Sequence, residues 1–196
     1  MPRVLPRSFY ARPADVVARE LLGCVVEATT PAGLVTVRLA EVEAYAGVSD
    51  AASHAWRGPT PRTEVMFGPP GHAYVYFTYG MHWCANLVCA VDAVAAAVLL
   101  RAGEVLVGED LARERRGPRP GARALASGPA NLARALGLDG AWNGEDVTRA
   151  SGRLRVRAGD APVEIVSGPR VGITRAVEVP WRFSVAGDPH VSRPRP

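Results

Sequence analysis

Two strand-like runs, residues 73–78 and 82–88, are separated only by Tyr79-Gly80-Met81. Three residues cannot carry a crossover, so the runs must pair antiparallel as a hairpin, with Gly80 available for a positive φ. The turn is flanked by Tyr79 and Met81. Large side chains at a hairpin tip cannot pack into their own sheet, so such a tip marks a partner surface. A wedge that enters a DNA groove and parts a base step needs this kind of residue. For the rest of the aromatic run (Tyr74, Tyr76, Phe77, Trp83), cross-strand packing is the ordinary alternative.

The hairpin sets the style of the chain around it. Residues 12–23 read as a short helix, with Pro13 in its first turn and Gly23 closing it. Residues 24–27 and 34–42 are strand-like and flank Pro31-Ala32-Gly33. Residues 47–71 are rich in Gly, Pro, Ser and Thr and read as a long loop, which in a small domain is often functional. Residues 95–101 form another apolar strand, 109–116 a charged helix, and 117–121 (Gly-Pro-Arg-Pro-Gly) a break. Residues 127–136 read as a helix, with Pro129 in its first turn and Gly137 after its end. Residues 153–166 and 181–185 read as closing strands. The expected fold is α+β: a single domain over residues 1–196, with a curved, largely antiparallel sheet and a protruding β-hairpin. Residues 1–10 are expected to be a flexible N-terminal segment.

Composition narrows the function classes. With 48% apolar residues in 196, the chain can bury a core, yet no apolar run is long enough to span a membrane. Residues 1–10 lack an apolar stretch, so no signal peptide is expected. Cys24, Cys84 and Cys89 have no metal spacing and read as buried thiols in a reducing cytoplasm. His54, His72, His82 and His190 are scattered, so neither a metal nor another cofactor is expected. All 23 basic residues are arginine. A GC-rich genome accounts for that ratio, and the net charge of +4 favours an anionic partner only weakly. The chemical consequence is firmer: no side-chain amine can form a Schiff base.

Glu41-Val42-Glu43-Ala44-Tyr45 ends a strand where the long loop begins. Alternation puts Glu41, Glu43 and Tyr45 on one face, an arrangement suited to a general base. On pattern alone, a solvated strand face is the more ordinary reading. Arg101 ends an apolar run, where it can reach solvent, bind a phosphate or serve a nearby carboxylate. Arg57 and Arg62, near Thr60 in the loop, are candidates for phosphate contacts.

These blocks together carry a resemblance. Glu41-Val-Glu-Ala-Tyr45, Ala52-Ser-His54, Thr60-Pro-Arg62, Met66-Phe67, Tyr74-Val-Tyr76, Tyr79-Gly-Met81, Cys84-Ala-Asn86, Leu99-Leu-Arg101, Ser127-Gly-Pro129, Arg170-Val-Gly172 and Arg182-Phe183 match, in order and approximate spacing, the alkyladenine (3-methyladenine, methylpurine) DNA glycosylase family. The resemblance runs from about Leu21 to Ser192. It implies a single-domain enzyme that binds duplex DNA containing a damaged purine through the minor groove, as a monomer. Glu43 would be the general base, and Arg101 and the Val171 carbonyl would help orient the water. Tyr45, His54, Tyr76, Asn86 and Leu99 would form the base pocket, with Asn86 crowding the exocyclic amine of normal guanine. Tyr79 would intercalate; Met81, His82, Thr60, Arg62 and Met66 would contact DNA. Asn131 stands where lysine is common in the family, which implies a weaker DNA contact there. The stretch between Asn86 and Arg101 is slightly longer than the family pattern.

Excision breaks a C1′–N bond and leaves positive charge on the sugar, which a carboxylate can stabilise while taking a proton from water. Without lysine, the only amine left to form a Schiff base is the N-terminus, Pro2 if Met1 is removed, and the resemblance gives it no such role; hydrolysis alone is expected, leaving an abasic site without strand cleavage. The expected location is the cytoplasm, at a bacterial nucleoid, or the nucleus in a eukaryote. Two other classes stay open: a DNA-binding module in which Glu43 is an idle acid, and a hydrolase or transferase of a small metabolite, which needs no apolar hairpin tip.

Overall fold

A computed structural model describes residues 3–90 and 94–193. In chain order the elements are helices α1 (Arg7–Tyr10) and α2 (Ala14–Leu21), strands β1 (Val25–Thr30), β2 (Gly33–Tyr45), β3 (Ala73–Thr78), β4 (His82–Cys89) and β5 (Ala96–Val107), helix α3 (Glu109–Arg116), strand β6 (Ala126–Ser127), helix α4 (Pro129–Leu136), and strands β7 (Leu154–Arg157), β8 (Ile165–Gly168) and β9 (Arg182–Val185). The sheet runs β3-β4-β5-β2-β1-β7; β6 adds to β5, and β9 joins β2 to β8. Every pairing is antiparallel, as expected for this α+β fold.

The sheet has two faces with different duties. One face carries Val75, Leu87, Val98 and Leu100, and packs on Val17 and Leu21 of α2 and Leu132 and Leu136 of α4. Burying each such side chain is worth roughly 1.5–3 kcal/mol. The other face carries Tyr74, Val88 and Ala97, and meets Ala55 and Met66 of the long loop in a smaller cluster. The loop is not featureless: it contains short 3-10 turns at Gly47–Ser49, His54–Arg57 and Glu64–Phe67. A crevice between that second face and this loop is what the fold provides for a ligand.

Strand β2 changes face part-way along. Val35, Val37 and Leu39 lie in the main core, and so do Val42 and Ala44. Odd positions point inward before residue 40 and even positions after it. The register against β5 shifts between Leu39 and Val42, which is a β-bulge. Without it, strict alternation would drive Glu41 and Glu43 into the apolar core beside the valines. The bulge turns both acids, and Tyr45 after them, to the crevice side.

Several expectations are corrected. Residues 3–10 are not a loose arm: Leu5 N–H bonds Val156 O at 2.8 Å, Tyr10 is fully buried, and Arg7 pairs with Asp146. The segment 153–166 is two strands, because its halves serve different partners, β1 and β9. Strand β5 continues six residues beyond Arg101, to Val107. The three cysteines, by contrast, are buried free thiols as expected. Residues 91–93, within the stretch between Asn86 and Arg101 that is longer than the family pattern, lie outside the described residues.

Candidate active site

Where β2 leaves the sheet, Gly47 lets the chain pass close to β5; a Cβ there would meet the Val94 carbonyl oxygen at 1.9 Å. The loop then closes over a cavity of about 600 Å³. Tyr45, His54, Tyr76, Asn86, Leu99 and Arg101 all line it, as does Tyr79 of the hairpin tip. Alternation explains the strand contributions: Tyr74 and Tyr76, Cys84 and Asn86, and Ala97, Leu99 and Arg101 share the second face of three adjacent strands.

The aromatic wall is ordered by its own contacts. Tyr74 and Tyr76 stack with centroids 5.3 Å apart, and His54 meets Tyr76 edge-on at 4.6 Å. His54 opens a 3-10 turn whose cap, the Ser53 hydroxyl, accepts from Ala55 N–H. Its Nδ1 lies 3.1 Å from the Tyr74 hydroxyl. Partial burial, with Arg62 nearby, pushes the His54 imidazole below its usual range, favouring the neutral ring. Asn86 is buried and donates its amide to Tyr74 O at 3.0 Å.

Behind this wall lie two carboxylates, both fully buried, and they differ in the donors they meet. An ionised carboxylate offers about four acceptor directions, two on each oxygen. Glu41 meets four donors, three of them crowded on one oxygen: Arg101 Nε and Arg182 Nε each donate to Oε1 at 2.7 Å, the Ser192 hydroxyl to Oε1 at 3.0 Å, and Ser192 N–H to Oε2 at 2.7 Å. Burial alone would favour the neutral acid, but Arg101 and the Ser192 donors overcome it and hold Glu41 below the usual carboxylate range. Glu43 meets three donors. Val171 N–H lies 2.7 Å and Arg101 Nη1 3.2 Å from Oε1; the Tyr45 hydroxyl donates to Oε2 at 2.9 Å. About one direction, on Oε2, is left over. Burial, then Glu43, pushes the Tyr45 phenol far above its usual value, so it remains a donor. Tyr45, Arg101 and Val171, the three groups that touch Glu43, all line the cavity.

A second buried pair supports Tyr45 from behind. Arg170 grips Asp50 through both terminal nitrogens and donates to Ala44 O at 3.0 Å. Its guanidinium lies 4.7 Å from the Tyr45 ring centroid and 5.5 Å from that of Trp181. The Arg170 bond and the Ala52 and Ala46 amides outweigh burial and hold Asp50 below the usual carboxylate range. The loop is thereby clamped to the end of β2.

The hairpin tip is the opposite kind of surface. Tyr79 is 81% and Met81 67% exposed. Tyr79 and Gly80 have φ of 51° and 66°, so Tyr79 as well as the glycine takes the left-handed conformation. Positive φ at both central residues suits a tight hairpin but is strained for a bulky side chain. His82, Thr60 and Arg62 are also exposed; Arg62 lies over Tyr76, 5.2 Å from its ring centroid. Met66, expected among the DNA contacts, is only 3% exposed; its apolar side chain packs in the loop cluster and lines the cavity. Val171 was expected to act through its carbonyl; the contact that ties it to Glu43 is its N–H. Asn131 turns its amide to Ser127 O at 2.6 Å.

Comparison with known proteins gives the family. The family model "Methylpurine-DNA glycosylase (MPG)" matches residues 8–189. The chain belongs to this family.

A relative from Streptomyces avermitilis, named "Putative 3-methyladenine DNA glycosylase", is 50% identical over 192 residues, covering 96% of this chain and 90% of that protein. Relatives of the same name from Cutibacterium acnes and Corynebacterium jeikeium are 52% and 47% identical, over 93% and 100% of this chain and 96% and 94% of theirs. The chain is therefore a DNA glycosylase of the alkylation-repair class. The sequence offers Glu41 as a second acid and Arg182 as part of a matching block, but it assigns no part in the site to Ser192 or Asp50 and does not pair Glu41 with Arg182. The available signal is charged residues set beside apolar runs, which does not name partners.

Proposed function

We propose that this glycosylase takes an alkylated or deaminated purine out of duplex DNA and hydrolyses its N-glycosidic bond with water activated by Glu43. The observation that carries the reading is the contrast between the acids: the three groups that touch Glu43, namely Tyr45, Arg101 and Val171, all line the aromatic cavity and leave about one acceptor direction on Oε2, whereas Glu41 is tied to Arg182 and Ser192, which do not line it. A water placed there gives its proton to Glu43 while its oxygen bonds to C1′. The C1′–N bond breaks, and its electron pair leaves with the base. A base methylated on a ring nitrogen departs as a neutral molecule. A neutral lesion such as hypoxanthine takes up a proton. Arg101 and Val171 N–H fix the carboxylate, and the Val171 carbonyl helps orient the water.

The lesions that fit are 3-methyladenine, 7-methylguanine, hypoxanthine and ethenoadenine. Tyr45, His54 and Tyr76 stack on the extracted base, Leu99 packs against it, and Asn86 disfavours normal guanine. The enzyme approaches through the minor groove as a monomer. Tyr79 fills the gap in the stack, while Met81, His82, Thr60 and Arg62 contact DNA. With no lysine in the chain, water is the nucleophile and the product is an abasic site. The test is a panel of duplexes carrying these lesions, assayed for free base and, with borohydride, for trapped protein. Release of base without an adduct is expected. Binding without release would favour a non-catalytic module, and a borohydride-trapped adduct would overturn hydrolysis by water.

A further inference from the structure

Glu41 has no place in the reaction just described, yet it is fully buried and ties together three parts of the chain: β5 through Arg101, β9 through Arg182, and the C-terminal segment through Ser192. We propose that Glu41, with Arg182 and Ser192, is a positioning residue that holds the Arg101 guanidinium in the one orientation that presents Nη1 to Glu43. The inference rests on Glu43 being the base.

Arg101 is held on three sides. Its Nε donates to Glu41 at 2.7 Å, its Nη2 lies 3.4 Å from the Ser192 hydroxyl, and its Nη1 lies 3.2 Å from Glu43. The guanidinium is planar, so fixing Nε and Nη2 fixes where Nη1 points. The contact to Glu43 is longer than the contact to Glu41 and would not set that plane alone. Ser192 is held in turn, by its own N–H on Glu41 and by Arg182 Nη2 on its carbonyl at 3.1 Å. The cluster balances two carboxylates against two guanidiniums, so Arg101 need not leave Glu43 to neutralise another charge. An apolar residue at position 41 would leave Arg182 and Ser192 N–H without this acceptor and free Arg101 to swing toward the cavity.

The test compares the wild type with Glu41→Gln, Glu41→Asp and Ser192→Ala as full chains on a hypoxanthine duplex. Single-turnover excision is measured beside lesion binding and thermal melting. For Glu41→Gln the expected result is about 10- to 100-fold slower excision. Its lesion affinity should stay within about threefold, roughly the size of one minor contact. Ser192→Ala keeps the backbone donor and should slow excision in the same way by less, again with affinity kept. Glu41→Asp, which keeps the charge, should recover part of the lost rate. A folded Glu41→Gln with the wild-type rate, or one whose affinity falls as far as its rate, overturns the proposal. If that variant does not fold, an unchanged rate in Ser192→Ala overturns it instead. A wild type that releases no base would sink the glycosylase reading itself, which is a separate outcome.

Discussion

The wall behind the cavity and the tip of the hairpin stand in opposite states. In the wall, Glu43, Arg101, Asp50 and Arg170 are each at most 5% exposed and tied by charge-assisted hydrogen bonds. At the tip, Tyr79 and Met81 stand in the open, and Tyr79 holds a strained backbone conformation. A wall tied this tightly is set before any substrate arrives, as stabilisation of a developing charge requires. A tip this exposed gains its contacts only when a partner supplies them. The difference separates chemistry from engagement, and substitutions should separate them too.

The largest effect is expected in the wall. Glu43→Gln should slow excision by about 10²–10⁴-fold while leaving lesion binding nearly intact. Near-normal single-turnover excision would remove Glu43 from its role. Next comes the clamp behind Tyr45. Asp50→Asn leaves Arg170 buried without its anion, at a cost of about 3–5 kcal/mol in urea unfolding at pH 7. The folded carboxyl of Asp50 titrates below its unfolded value. Its contribution is therefore present above the ordinary carboxylate pKa and lost as pH falls through the lower, folded one. The gap between wild type and variant should shrink at low pH; a gap that stays constant would contradict the assignment.

At the tip the effects are smaller and of another kind. Tyr79→Ser should weaken lesion binding about tenfold, the scale of one lost base–aromatic stack, and weaken binding to undamaged duplex less. Equal losses on both would break the comparison. Smallest of all, Tyr79→Gly should stabilise the free protein by about 1 kcal/mol, by relieving the left-handed strain, while still losing lesion affinity. A lower urea midpoint would mean that the tip is not strained.

How much of this was legible before the fold was known follows from the range of each signal. The hairpin, α3 and α4 were readable because turn residues and Gly or Pro punctuation act locally. The continuation of β5 was not. Gly103 and Glu104 interrupt its apolar run, and both make sense only against β2: a Cβ at Gly103 would meet the Arg38 carbonyl oxygen at 2.2 Å, and Glu104 pairs with Arg38. Glu43 was legible as a candidate acid, but its burial was not, because the donors that make burial tolerable come from residues 101 and 171. Ser192 lies 151 residues from Glu41, and no local pattern announces such a contact.

The irregular stretch of β2 also changes what an insertion or deletion would mean in this family. A chain that lost one residue between Leu39 and Val42 could run straight, with valine and alanine still facing the core, yet everything beyond that point would slip one place, about 3.3 Å, along β5. The acids would then be out of step with Arg101, across the same pair of strands. A gap opened there in comparing two such sequences is therefore a statement about chemistry rather than about length.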